Sequence, residues 1–289
     1  MAFPPSSTVH KEDSAYRQNP FRLEITRIVG SWPRKVFIQW LLRYPSSGSG
    51  YCFNIYRSGS SGGPWEQIAT NIVDTYFFVD DSFPAPNDRS KPDLMSIQRA
   101  HYYKVTVLHT VDGASEAISH IEAALDKRRQ GILRKLRRDA YIMLKKGNGT
   151  EVAILKRKWW GESCDCRTLT GQVTRAHCKK CNGTGIVTGY WSPVYTYASH
   201  AATPTQVRTA PQGNVEINTM RILLPDIPEV SRYDVLVYIR DNRRFMIEEV
   251  VATAIHSVTV HQEMEVSELA KTAREFDLLV DPWRQPAWY

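Results

Sequence analysis

Val36-Phe37-Ile38-Gln39-Trp40-Leu41-Leu42 is the stretch on which the fold class turns. Val36, Ile38, Trp40 and Leu42 fall at every second position, the period of a strand with one buried face. Pro45-Ser46-Ser47-Gly48-Ser49-Gly50 cannot readily continue that strand, and Tyr51, Phe53 and Ile55 then resume the alternation. Ser58-Gly59-Ser60-Ser61-Gly62-Gly63-Pro64 marks another turn before Trp65 and Ile68. Residues 76–79, then Tyr102, Tyr103, Val105 and Val107, add aromatic and β-branched strands on either side of a polar, proline-bearing connection. A small β-sandwich over residues 21–112 accounts for this pattern. Trp40 and Trp65 read as core residues, with an exposed carbohydrate or peptide platform as the alternative.

Outward from that unit, 289 residues leave room for two or three domains. Hydrophobic residues at 42% and charged residues at 23% exclude wholesale disorder. No stretch approaches the roughly 18 uncharged apolar residues of a membrane span, so no membrane partner is expected. Residues 1–20 carry Pro4, Pro5, Ser6 and Ser7 with few apolar side chains and read as a flexible arm. They also lack the apolar run of a secretory signal, so a reducing compartment is expected rather than a set of stable disulfides.

Downstream, Ile118, Ile121, Leu125, Ile132, Leu136, Ala140 and Met143 recur mostly three or four positions apart and predict a helix over 115–147. Gly131 leaves room for a bend, and Gly147-Asn148-Gly149 supplies a stop. Between Leu125 and Trp160, twelve Lys or Arg residues face three acids, a local balance of +9 within a chain of net charge +7. Basicity therefore belongs to one segment. Lys127, Arg128, Arg129, Arg134, Arg137 and Arg138 are the candidates to meet an acidic protein surface or the phosphates of passing DNA, with simple solvation of the helix left open.

The strongest chemical signal is Cys164-Asp165-Cys166, eleven residues, then Cys178-Lys179-Lys180-Cys181, within a region 150–192. Four soft thiolates satisfy tetrahedral zinc, so Cys164, Cys166, Cys178 and Cys181 are the expected ligands of one structural Zn2+ ion. Two disulfides, redox use, or replacement of one thiolate by His177 are the alternatives. A closed shell leaves Asp165 nothing to activate, and the chain has no phosphate loop, nucleophile elbow or H-E-x-x-H helix, so no catalytic residues and no enzyme activity are expected. Trp159 and Trp160 are expected to cover the small core of the metal loop. A zinc-containing nucleic-acid-binding protein acting through segment 127–158 is the competing reading.

Val215 and Ile217, then 221–225, 235–239, 245–247 and 258–260, predict a second β unit, a small barrel or sandwich over 193–268. Residues 241–244 form a plausible tight turn within it. The final segment, 269–289, reads as a helix broken by Pro282 and Pro286, with Trp283, Trp288 and Tyr289 as aromatic anchors that fold back or dock on a neighbouring subunit. The chain is thus expected to be multidomain and mainly β: an N-terminal sandwich, a long basic helical segment, a central zinc knuckle and a C-terminal β domain.

Two resemblances follow. Trp40, residues 53–58, Gly63-Pro64-Trp65-Glu66-Gln67-Ile68-Ala69 and Tyr102-Tyr103-Lys104-Val105 look like a fibronectin type III module. The order of that module, a basic helix, a cysteine knuckle running from Cys178 through Asn182-Gly183-Thr184-Gly185 to Tyr190, and a β unit with Asp234-Val235-Leu236-Val237 and Arg244-Phe245-Met246-Ile247-Glu248 resembles the neck proteins of tailed bacteriophages, the head-to-tail connector or head-completion class. The one-residue gap of Cys164-Asp165-Cys166 departs from the commoner two. The resemblance implies a homo-oligomeric ring in the virion neck, assembled in the host cytoplasm. It would join portal protein to tail-terminator or other neck proteins and pass close to packaged DNA.

Overall fold

The computed structural model describes residues 21–31, 35–46, 48, 50–73, 75–82, 101–120, 127–168, 172–174, 178–201, 207–210, 213–216, 219–255 and 258–281. The arm 1–20, His177, and the tail residues Trp283, Trp288 and Tyr289 lie outside them.

β1 (Arg22–Ser31), β2 (Lys35–Arg43) and β5 (Phe77–Asp80) form one antiparallel sheet, in the order β1-β2-β5. β3 (Cys52–Ser58), β4 (Glu66–Ile72), β6 (Tyr102–His109) and β7 (Gly113–His120) form a second, in the order β4-β3-β6-β7. Val36, Ile38 and Trp40 of the first share one core with Phe53, Ile55, Tyr103 and Val105 of the second. Phe37 and Gln39, on the other face of β2, are buried too. That face meets the barrel described below rather than water: Phe37 packs with Val29, Val194 and Ile227, and Gln39 Nε2 donates to Glu229 at 3.2 Å.

The helix expected from 115 begins later. Residues 113–120 are a strand, because Gly113, at φ +82°, closes a hairpin that pairs β7 with β6 from His109↔Gly113 to Tyr102↔His120. A full ladder of main-chain hydrogen bonds outweighs the helical spacing suggested by Ile118, which is left exposed. The helix itself, α1 (Lys127–Lys146), has turned its face relative to expectation. Leu133, Arg137, Tyr141 and Leu144 are buried, whereas Ile132, Leu136 and Met143 are exposed at 53%, 37% and 57%. Gly131 sits inside the helix.

β8 (Thr150–Leu155), β9 (Val194–Ala201), β12 (Thr219–Pro225), β13 (Val235–Tyr238), β14 (Arg244–Ile255) and β15 (Val258–Glu268) close a barrel in the order β12-β15-β14-β13-β8-β9. Val152, Ile154, Ile222, Leu224, Leu236 and Phe245 fill its centre. A separate hairpin joins β10 (Val207–Ala210) to β11 (Gly213–Glu216). The boundary read at 193 is therefore wrong: β8 pairs with both β9 and β13, so the barrel starts at 150 and residues 156–193 are inserted between two neighbouring staves. The helix expected at 269–280 is also absent. Only one 3-10 turn, Arg274–Asp277, forms there, held because the buried Arg244 guanidinium donates to the carbonyls of Glu275 and Leu278. No helix among the described residues is long and apolar enough to cross a membrane.

The parts are tied by a buried carboxylate. Asp226, after β12, pairs with Arg27 of β1 at 3.1 Å and with Arg137 of α1 at 2.9 Å, so one residue of the barrel holds both the N-terminal unit and the helix.

Candidate metal centre

The insertion leaves the barrel as two antiparallel arms. Trp191 N–H donates to Lys156 O at 2.8 Å and Lys158 N–H to Gly189 O at 2.9 Å, and farther out the chain bridges Ser163 to Ile186. Its root is fixed by Asp234, at the start of β13. One carboxylate oxygen accepts from Arg157 N–H at 2.8 Å; the other accepts from Ser231 N–H at 2.8 Å and faces Lys156 Nζ at 3.3 Å. Burial pushes the Asp234 carboxyl up, against the pull of Lys156 and the two amides.

At the far end the arms bring Cys164, Cys166, Cys178 and Cys181 together, with all four sulfurs within 4.8 Å of one another. Cys164 Sγ lies 3.6 Å from Cys178 Sγ and Cys166 Sγ 3.3 Å from Cys181 Sγ. Both separations are far longer than the ~2.05 Å of a disulfide. They come close to the edge of about 3.8 Å of a sulfur tetrahedron with 2.3 Å metal–sulfur bonds. The four residues thus fit a metal ion. The sequence-predicted ligands are all brought to one point, and three of them, Cys164, Cys166 and Cys181, are buried.

Backbone turns aim the sulfurs. Arg167 N–H donates to Cys164 O, Thr174 N–H and Oγ1 to Cys166 O, and Thr184 N–H and Oγ1 to Cys181 O, at 2.7–3.0 Å. The amides of Lys180 and Cys181 point at the Cys178 sulfur and lower its thiol to about 7, which favours the thiolate a metal needs. The hydrogen bond with the Cys181 sulfur, together with burial, pushes the Cys166 thiol up. After Cys181 the chain reverses through Asn182 and Gly183 at positive φ and then Gly189, where a Cβ would stand 2.4 Å from Cys181 O. Only glycine fits that approach. Asp165 is exposed and pairs with Lys180 at 2.9 Å, outside the shell.

Trp159 and Trp160 do not cover the cysteines. Trp160 lies in the N-terminal core, 5.0 Å from the Tyr51 ring and 4.7 Å from Trp191, while Trp159 packs edge-on against Tyr76 at 5.3 Å. Among the described residues, the cysteine core itself has Val173 and Val187 as further apolar cover. Of the basic candidates on α1, Arg128, Arg129 and Arg138 are exposed, Arg134 is half-buried, and Arg137 is 4% exposed. Arg137 is corrected: its guanidinium serves Asp226 and the Thr259 carbonyl, not an outside partner. Sequence reasoning missed Asp226, Asp234 and Trp191 as joints; isolated acids beside apolar strands were the available signal.

No family model matches the chain, and no curated protein is similar to it in sequence. Among solved structures, an Fn3-like protein from Clostridium thermocellum is similar at 22% identity and a TM-score of 0.21, over 34% of this chain and 83% of that one. Pectate lyase Pel3 from Pectobacterium carotovorum is similar at 16% identity and a TM-score of 0.23, over 33% of this chain and 26% of that one. Overlaps this partial carry no argument about function.

Proposed function

We propose that Cys164, Cys166, Cys178 and Cys181 hold one structural zinc ion and that the chain is an assembly protein of a tailed-phage neck, repeated in a ring between portal and tail. The observation that carries the zinc reading is the four-sulfur cluster within 4.8 Å, which among the described residues supplies the four ligands of a closed tetrahedral shell. Zinc suits it because the ion takes four thiolates without redox chemistry. The sheets of three and four strands are read as a fibronectin type III-like sandwich, supported by their shared core. The neck assignment is supported by the order of that unit, the basic helix, the cysteine module and the β unit in the sequence. The role is structural rather than enzymatic.

Elemental analysis joined to mass measurement tests both parts. Purified protein is expected to carry one zinc per chain and to form a closed oligomer, alone or with portal protein. Metal-free protein with an intact cysteine module would remove the zinc; a monomer that binds duplex DNA tightly and ignores portal protein would favour the nucleic-acid reading instead.

A further inference from the structure

Two surfaces of this molecule are unsatisfied in complementary ways. On α1, Ile132, Leu136 and Met143 form an exposed apolar stripe at helical spacing, bordered by the exposed cations Arg128 and Lys135. On the barrel, the outer face of β14 and β15 is acidic. Glu249 stands directly across from Glu265, and Val251, 57% exposed, directly across from Glu263. Like charges opposite one another on one face of an antiparallel pair are unfavourable; Glu265 also stands across from the exposed Arg221 of β12, so the charge without an opposite one across the ladder is that of Glu249.

We propose that the apolar and basic outer face of α1 docks on the acidic outer face of β14 and β15 of a second copy of this chain. Arg128 and Lys135 would lie against Glu249 and Glu265, and Ile132 and Leu136 against Val251. The occupant follows from charge: a cation-bordered stripe rejects another copy of itself, and the acidic face supplies the opposite sign with an apolar residue at its centre. Because the two faces are different, the contact is head-to-tail, the kind that closes rings or runs into filaments. The inference rests on the proposal that the chain self-associates, and it names the surface that does so.

Mass measurement by light scattering and sedimentation on the full zinc-loaded chain tests it. The wild type is expected to self-associate, less so at high salt. Reversing the helix (Arg128→Glu with Lys135→Glu) or the sheet (Glu249→Lys with Glu265→Lys) should each weaken association at least tenfold. A chain carrying all four reversals should regain most of the loss. Mixing the helix-reversed and wild-type chains should cap growing assemblies. Circular dichroism and zinc content serve as the check that each variant folds. If both double variants associate like the wild type, this contact is overturned while a ring built on another surface stands. If the double variants weaken but the fourfold variant does not recover, the pairing is overturned. A wild type that stays monomeric at every concentration overturns the contact and the ring together, leaving the zinc assignment untouched.

Discussion

The barrel and the cysteine insertion it carries are buried to similar depth but cohere for different reasons. The barrel is held by side chains: Val152, Ile154, Ile222, Leu236, Phe245 and their neighbours pack as one buried apolar core. The cysteine end of the insertion has little to hide: among the described residues its core is sulfur with Val173 and Val187 beside it. What the insertion has instead is a set of main-chain turns that aim thiolates inward. An apolar core forms from its own chain; a thiolate core without a cation would repel itself. The first should fold unaided, and the second should fold with its metal.

Stripping the metal is the largest perturbation that separates them. Structural zinc in small modules contributes about 10–16 kcal/mol of apparent folding energy at neutral pH. Chelation should therefore melt the end of the insertion, read as lost hydrogen-exchange protection at Cys164, Val187 and Thr188, whose amides close its turns. Barrel amides should keep theirs. The damage should not stop at Tyr190, because Trp160 and Trp191 leave the insertion to enter the N-terminal core. A change in tryptophan fluorescence is expected with it. If exchange at those three amides is unaltered after metal removal, the difference drawn between the two regions is wrong.

Phe245→Ala breaks the other side of the comparison. Phe245 is fully buried at the barrel centre and meets the Tyr238 ring edge-on at 5.5 Å. Truncation of such a residue costs about 3–5 kcal/mol. Denaturant unfolding should show that loss while metal content at low denaturant stays at the wild-type level, since no atom of Phe245 belongs to the cysteine core. A variant that sheds its metal before the barrel unfolds would show that the insertion borrows its stability from the barrel.

The same contrast explains what could be read from the sequence. Period-two alternation at Val36, Ile38, Trp40 and Leu42 needs only local information, and so does the spacing of four cysteines, which names its own chemistry. β8 is hidden in the sequence because residues 152–155 are apolar without a break, Val152 and Ile154 packing in the barrel core and Ala153 and Leu155 in a second core with Tyr190 and Tyr195, and because its partner strands lie some forty and eighty residues away. The face of α1 was misread for a related reason. Arg137 is buried against a carboxylate, Asp226, that no periodicity rule places beside it, on the same face as the buried Leu133, Tyr141 and Leu144, which leaves Ile132 and Leu136 outside. Trp160 is next to the cysteines in sequence, but its ring enters the N-terminal core, where the larger apolar volume lies.

A third kind of cohesion, hydrogen-bonded charge at a hairpin end, should give the smallest effect and is the one that depends on pH. Asp112, between β6 and β7, accepts from Tyr51 Oη and from Ser46 N–H at 2.9 Å, and so ties the loop after β2 to the opposite sheet. Burial pushes its carboxyl up, but the Tyr51 and Ser46 hydrogen bonds outweigh that and hold it below the usual carboxylate range. A carboxyl held lower in the folded state than in the unfolded chain stabilises the fold fully above its unfolded value, and the contribution fades as pH falls through the folded one. Asp112→Asn should therefore cost about 1–2 kcal/mol at pH 7, the scale of hydrogen bonds to a charged acceptor. The cost should shrink steadily below about pH 4. Paired denaturant titrations of wild type and variant across that range give the curve directly. A penalty that grows on acidification would mean the carboxylate is a burden to the hairpin, and that the tie is carried by Tyr51 packing on the Phe21 and His109 rings instead.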